Sequence, residues 1–125
     1  MASVVQFQKA LQAMHQSFDA YIAEQDVNVQ KMLRDSVIQR FEFCVELSWK
    51  TSMKVLGLMT SAPKPAIRDM ARAGLIDDPE RWFKFIDARN KTSHTYDEEI
   101  AKEVLEVAEQ FLPEGYELLK ALQTQ

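Results

Sequence analysis

The chain has 125 residues, enough to bury one hydrophobic core and too few for two, so we expect a single domain over residues 1–125. Hydrophobic residues make up 46% and charged residues 27%, an ordinary globular composition that argues against long disordered stretches. The net charge of −4 counts against broad, non-specific nucleic-acid binding, which depends on many Lys and Arg contacts to phosphate.

Two long helices are predicted in the first half of the chain. Apolar residues recur at spacings of three and four over residues 4–23, which indicates a first amphipathic helix. A second pattern begins near Asn28 and runs until Gly57, a residue suited to ending a helix. The lone Cys44 lies within this pattern, and without a signal peptide it favours a reducing, cytoplasmic compartment.

The middle of the chain predicts a loop, a short helix and the start of another long helix. Ser61, Pro63 and the following Pro65 indicate the loop over residues 60–64, and the short helix over residues 66–73 should stop at Gly74. The sequence Asp78-Pro79-Glu80 places an N-cap acid, a proline and a second acid where a helix starts. That helix should run towards Arg89.

A last helix is predicted to begin around Asp97, where acidic residues complement the positive end of the helix dipole. Because proline removes a helical hydrogen bond, we expect a kink or break between Gln110 and Pro113. Three Gly and four Pro supply too few turns for a β-sandwich or barrel. The predicted fold is all-α, an antiparallel up-and-down bundle of four main helices and one short helix.

Residues 89–96, Arg-Asn-Lys-Thr-Ser-His-Thr-Tyr, gather a fixed cation, an imidazole and a phenol at the predicted end of a helix. A guanidinium can hold a phosphate while a nearby imidazole moves a proton, so Arg89 and His94 are candidates for phosphoryl chemistry. The structural alternative is that Arg89 caps the helix, His94 bonds nearby carbonyls and Tyr96 fills an edge of the core.

The spacing of Arg89 and His94 sets a condition on their pairing. On a continuous helix, at about 100° per residue, the two side chains would lie about 140° apart and would not converge. Unwinding of the helix near Thr92 and Ser93, whose side chains compete for backbone hydrogen bonds, would allow them to converge, as would a meeting across a dimer interface.

Other residue types give weaker functional signals. Two His, one Cys and no ligand spacing predict no metal site, and no cofactor motif is present. No apolar run approaches the roughly 18 residues of a spanning helix, so no membrane role is expected. His15 lies beside apolar residues and is interpreted as a boundary residue. Six aromatic residues at helical spacing are assigned to packing in the core or a dimer interface: Phe41, Phe43, Trp49, Trp82, Phe83 and Phe85.

Two blocks of sequence resemble a known family. The pattern Arg-x-x-x-x-His-x-Tyr over residues 89–96, with Asn90 after the Arg and an acidic helix start after the Tyr, resembles the signature of the HEPN superfamily. The block Arg-Phe-Glu-Phe-Cys-Val-Glu-Leu-Ser-Trp-Lys over residues 40–50 is similar to the long second helix of nucleotidyltransferase substrate-binding proteins and HepT-like toxins. The resemblance covers most of residues 35–110, and Pro113 departs from the uninterrupted last helix of that family.

The resemblance implies a homodimer of helical bundles whose paired motifs form a cleft, acting as a metal-independent endoribonuclease. It implies that His94 is a general base or acid, and that Arg89 stabilises charge on the phosphoryl oxygens. Asn90 would orient or bind phosphate. The implied partner is a minimal nucleotidyltransferase antitoxin, which silences the toxin by transferring AMP to Tyr96. Family members keep acidic residues near the cleft, so Glu46 is a candidate to orient Arg89.

Alternatives to this interpretation remain open. Glu42, Glu46 and Lys50 recur every four residues, and such a stripe is ordinarily solvated, with an ion pair worth about 0.2 to 0.5 kcal/mol. Tyr96 could be structural and never modified. A function of a different class is a non-catalytic protein that docks on a nucleotidyltransferase and presents substrate or nucleotide to it.

Overall fold

The computed structural model describes residues 2–125, which form five α-helices, one short 3-10 turn and no strand. The 3-10 turn spans Thr92–His94 between the last two helices. The all-α prediction is therefore confirmed. The helices are α1 Val4–Ala23, α2 Val27–Leu56, α3 Pro63–Arg72, α4 Pro79–Asn90 and α5 Glu98–Gln123.

The helices form the predicted up-and-down bundle around one hydrophobic core. Helices α1 and α2 pack along each other, α5 lies against α1, α2 and α4, and the short α3 packs on α2 and α4. Phe111 of α5 is at the centre of the core, with its ring 5.2 Å from Phe85, 5.6 Å from Phe41 and 5.7 Å from Trp82. These edge-to-face contacts join α2, α4 and α5.

The short helix starts earlier than the sequence predicts. We expected a loop over residues 60–64 and a helix from Ala66, but α3 begins at Pro63. Pro63 and Pro65 both lie in its first turn, where backbone N–H groups have no helical acceptor, so a missing N–H costs nothing there. Gly74 ends the segment with a φ of 78°, which a glycine adopts without strain.

Pro113 does not break the last helix, so of the predicted kink or break, the break is wrong, and the kink stays a prediction. Helix α5 is continuous from Glu98 to Gln123 with Pro113 inside it. Pro113 and Glu109, whose carbonyl loses its helical donor, are both exposed, so water can satisfy that carbonyl. Phe111 before the proline and Leu118 after it are buried in the core. Packing on both sides therefore holds the helix together.

The start of α4 depends on a side-chain cap. The Asp78 carboxylate accepts a hydrogen bond from the Arg81 backbone N–H at 3.1 Å. We expect Asp78→Ala to lower the free energy of unfolding by about 1 kcal/mol, because one amide of the first turn loses its acceptor. Urea titration would measure this loss. Asp77→Ala is the control, since Asp77 is exposed and lies outside the helix. An equal loss in both variants would contradict the cap.

None of the helices within residues 2–125 is long and apolar enough to cross a membrane.

Candidate functional site

The motif occupies a break in helical structure between α4 and α5. Helix α4 ends at Asn90, and the backbone N–H of His94 donates to the Lys91 carbonyl at 3.0 Å in the 3-10 turn. The Thr92 hydroxyl lies 2.8 Å from the Arg89 carbonyl, so it competes for an acceptor that helix continuation would need. The irregularity that the Arg89–His94 pairing required is therefore present near Thr92.

Arg89 is held by a carboxylate from α2. Its Nε donates to Glu46 Oε1 at 2.9 Å, and the two side chains are 32% and 27% exposed. Lys50 Nζ lies 3.4 Å from the other oxygen of Glu46, so this carboxylate sits between two cations. No acceptor within residues 2–125 bonds the two terminal nitrogens of the Arg89 guanidinium. The guanidinium is thus oriented and still able to bind an anion.

Glu42, one turn before Glu46 on the same face of α2, accepts a hydrogen bond from the Thr92 hydroxyl. That hydroxyl also lies near the Arg89 carbonyl, and its single proton serves one acceptor at a time. Glu42 and Glu46 are half-buried, so they are not a solvated stripe. Neither Glu42 nor Thr92 was predicted to belong to the site, although the four-residue spacing to Glu46 was a signal for Glu42.

The segment after the motif is also tied to α2. Arg34 donates to Glu98, the first residue of α5, at 2.8 Å. The hydrogen bond to Arg34 holds the pKa of the Glu98 carboxyl below its ordinary value. Arg34 and Glu46 therefore anchor α5 and Arg89, respectively, and the turn between them is fixed at both ends.

His94 and Tyr96 are presented to solvent. Their rings contact edge to face, with centroids 6.1 Å apart, and Tyr96 is 80% exposed. The structural alternative in which Tyr96 fills an edge of the core is therefore wrong. Asn90 is exposed at the end of α4. Within residues 2–125, no hydrogen bond joins Arg89 to His94. Arg89 instead donates to Glu46, and the His94 ring contacts the Tyr96 ring.

Phe43 does not pack in the core of the chain, so of the two locations predicted for the aromatic residues only a dimer interface stays open for it. Phe41, Trp49, Trp82 and Phe85 are buried, whereas Phe43 on α2 is 60% exposed. It shares a surface depression with Glu42 and Glu46, the two carboxylates of α2 that contact Thr92 and Arg89. The helical period placed Phe43 on α2, but it did not predict which face of α2 is left exposed to solvent.

Two other reactive side chains lie outside the motif. Cys44 is fully buried, and burial raises the pKa of its thiol to about 12, so the thiol stays protonated at neutral pH and is inert as a nucleophile. His15 is exposed on α1, 3.2 Å from the Tyr116 hydroxyl through Nδ1. Within residues 2–125, no three His, Cys, Asp or Glu side chains gather as metal ligands.

Three side chains with different chemistry lie at the end of α4 and in the exposed segment that follows it. Arg89 can hold an anion, His94 can accept or deliver a proton, and the Tyr96 phenol is open to a group-transfer enzyme. A phosphodiester or a nucleotide has the charge that such a site would accept.

Comparisons with known proteins agree with the helical fold. A Haemophilus influenzae protein named probable ribonuclease HepT is 38% identical over 102 residues, which cover 75% of this chain and 70% of that protein. A solved structure from the same species, described as the fold of a substrate-binding domain of a nucleotidyltransferase, superimposes with a TM-score of 0.87 at 32% identity. The superposition covers 96% of this chain and 98% of the Haemophilus influenzae chain.

A Thermus thermophilus crystal structure also has this fold, with a TM-score of 0.67, 29% identity, and coverage of 92% of this chain and 96% of that one. The family described as nucleotidyltransferase substrate binding protein like matches residues 3–124. The helical bundle and these matches agree. The chain therefore belongs to the nucleotidyltransferase substrate-binding family, which includes HepT-like proteins.

Proposed function

We propose that this protein is a HEPN-type toxin, a metal-independent endoribonuclease that a partner minimal nucleotidyltransferase silences by transferring AMP to Tyr96. The observation that carries the proposal is Arg89, oriented by Glu46 at 2.9 Å beside a solvent-facing turn that holds His94. The relative named probable ribonuclease HepT supports the same reaction class.

The proposed reaction uses the RNA's own 2′-hydroxyl as the nucleophile. Its oxygen attacks the adjacent phosphorus, the bond from phosphorus to the 5′-oxygen breaks, and the products are a cyclic phosphate and a 5′-hydroxyl. One proton leaves the 2′-hydroxyl and one reaches the 5′-oxygen, and His94 performs one of these transfers. Arg89 stabilises the charge that develops on the phosphoryl oxygens, and Asn90 orients the phosphate.

We propose that the working form is a homodimer. Since no hydrogen bond within residues 2–125 joins Arg89 to His94, a second copy that brings its motif close would complete the cleft. The exposed positions of His94 and Tyr96 leave both side chains free to meet a partner surface. Sedimentation that gives a monomer at micromolar concentration would contradict this arrangement.

Tyr96 fits the role of acceptor because its side chain is 80% exposed. In the transfer, the Tyr96 phenol releases its proton to solvent and its oxygen attacks the α-phosphorus of ATP. The bond from the α-phosphorus to the oxygen that bridges to the β-phosphate breaks, and pyrophosphate leaves. The adduct adds negative charge and bulk two residues from His94, where it would repel a phosphodiester and block its approach.

We expect AMP on Tyr96 when the protein is produced together with its nucleotidyltransferase, and none on Tyr96→Phe. Intact mass measures the adduct. Tyr21→Phe is the matched control, because Tyr21 is half-buried on α1 and should leave modification unchanged. An unmodified wild-type protein, or an adduct that persists in Tyr96→Phe, would rule out this acceptor.

The second candidate function is a non-catalytic module that docks on a nucleotidyltransferase. The exposed Phe43 ring favours it, because an aromatic side chain that is 60% exposed is a common anchor for a partner protein. Under this alternative, the complex with the enzyme persists when Arg89 and His94 are both replaced, and the isolated protein cleaves no RNA.

Cleavage of RNA by the purified protein in EDTA distinguishes the two functions. The protein must have an intact mass that shows Tyr96 unmodified, and the Arg89→Ala/His94→Ala double variant is assayed beside it. Cleavage by the wild type alone is the expected result. If neither protein cleaves any of several RNA classes, the docking module is the better account.

A further inference from the structure

A second surface next to the motif has the chemistry of a nucleic-acid groove. Arg40, Phe43 and Lys50 lie along one side of α2 at helical spacing, over a length of about 15 Å. Two depressions meet along this line. The first, of about 450 Å³, reaches Glu42 and Glu46, and the second, of about 640 Å³, lies between α1 and α2; Arg40 and Phe43 line both.

The groove is continuous with the proposed active site. Its first depression is lined by Glu46, the carboxylate that orients Arg89, and by Glu42, which bonds Thr92 of the motif. A strand held at Phe43 could therefore extend to the guanidinium of Arg89 along one face of α2.

The charges that remain free in the groove are positive. Arg40 and Lys9 form no ion pair with a carboxylate within residues 2–125, and Arg40 bonds only the Ser36 hydroxyl at 3.4 Å. The carboxylates are engaged: Glu46 lies between Arg89 and Lys50, and Glu42 accepts from Thr92. The groove thus offers unpaired cations although the chain as a whole is acidic.

We propose that this groove binds the RNA strand that flanks the cleaved bond, with a base stacked on Phe43 and phosphates against Arg40 and Lys9. This rests on the proposed ribonuclease function and adds a substrate-binding subsite to it. An exposed aromatic ring among cations is the combination by which proteins hold single-stranded nucleic acid, since every base has a face that can stack.

The same charges disfavour a second copy of the chain as the occupant. In a two-fold interface the same patch is used by both copies, so each copy would bring the unpaired cations Arg40 and Lys9 into the interface. Like charges across an interface are repulsive. A polyanion has the charge complementary to Arg40 and Lys9, and its binding brings no like charges together.

The test is binding of a short 2′-O-methyl oligoribonucleotide of mixed sequence, which lacks the attacking hydroxyl. Phe43→Ala should weaken binding about tenfold, within the range measured for loss of one stacked base, and Phe43→Trp should restore it. Arg40→Ala should also lower the salt dependence by about 0.7 in slope, the share of one single-strand phosphate contact. On cleavable RNA, Phe43→Ala should raise KM and leave kcat nearly unchanged.

Two variants outside the groove serve as controls. Met59→Ala and Arg72→Ala remove an exposed apolar and an exposed basic side chain outside the groove, and should not alter binding.

Three outcomes would overturn the subsite. If the wild type cleaves RNA while Phe43→Ala keeps the wild-type Kd and KM, the subsite is wrong and the proposed ribonuclease function stands. A change from dimer to monomer in Phe43→Ala would assign the groove to an interface between copies instead. If the wild type neither binds nor cleaves, both proposals fall.

Discussion

His94→Ala is expected to slow RNA cleavage by about 10²- to 10⁴-fold, the usual contribution of a positioned general acid or base. The melting temperature should hardly change. His94 is exposed, and its ring contact is to the exposed Tyr96, so the substitution removes chemistry and almost no packing. The measurements are single-turnover cleavage and a thermal melt on protein with unmodified Tyr96.

The matched control for His94 is the one other histidine of the chain. His15 is also exposed, but it lies on α1, where its Nδ1 contacts the Tyr116 hydroxyl of α5 and not a residue of the motif. His15→Ala should cleave at the wild-type rate. A His94→Ala protein that cleaves as fast as the wild type would remove His94 from the reaction.

Arg89→Ala is expected to reduce cleavage by about 10²- to 10³-fold, the usual effect of losing one preorganised group that stabilises transition-state charge. Arg89→Lys should not restore the rate, because an ammonium cannot donate to Glu46 and also present a planar fork to a phosphate. Stability should change little, since Glu46 is partly exposed and keeps Lys50 as a partner. Arg72→Ala, which removes an exposed guanidinium on α3, is the control.

Glu46→Gln separates orientation of Arg89 from general loss of charge. A glutamine oxygen still accepts the Nε hydrogen bond, but the bond is weaker without the carboxylate charge. We expect a smaller loss of rate than in Arg89→Ala, and no additional loss when Glu46→Gln is combined with Arg89→Ala. Full additivity of the two losses would show that Glu46 acts independently of Arg89.

Most of the fold followed from local signals. The helical period predicted α1 and α2 closely, and the Asp78-Pro79 pair predicted where α4 begins. The errors both involve prolines. Pro63 starts a helix where a loop was expected, and Pro113 lies in a continuous one, because the cost of a proline depends on whether its lost N–H had an acceptor and on packing around it. Neither condition is visible in a local pattern.

The candidate site was less accessible from sequence. The four-residue spacing of Glu42 and Glu46 placed both on one face, but the sequence could not determine that this face meets the turn after α4. Thr92 was predicted to disturb the helix, whereas its proximity to Glu42 depends on tertiary packing. The exposure of Phe43 likewise depends on which side of α2 the other helices cover.

The chemical groups at the ends of the RNA products test directly whether this protein cleaves RNA through the 2′-hydroxyl. RNA is incubated with the unmodified protein in EDTA, beside the same RNA with a 2′-deoxy nucleotide at the mapped cleavage site. The proposed mechanism predicts a 2′,3′-cyclic phosphate and a 5′-hydroxyl, and no cleavage at the 2′-deoxy position. Cleavage that needs a divalent metal, leaves a 5′-phosphate, or proceeds at the 2′-deoxy position would contradict it.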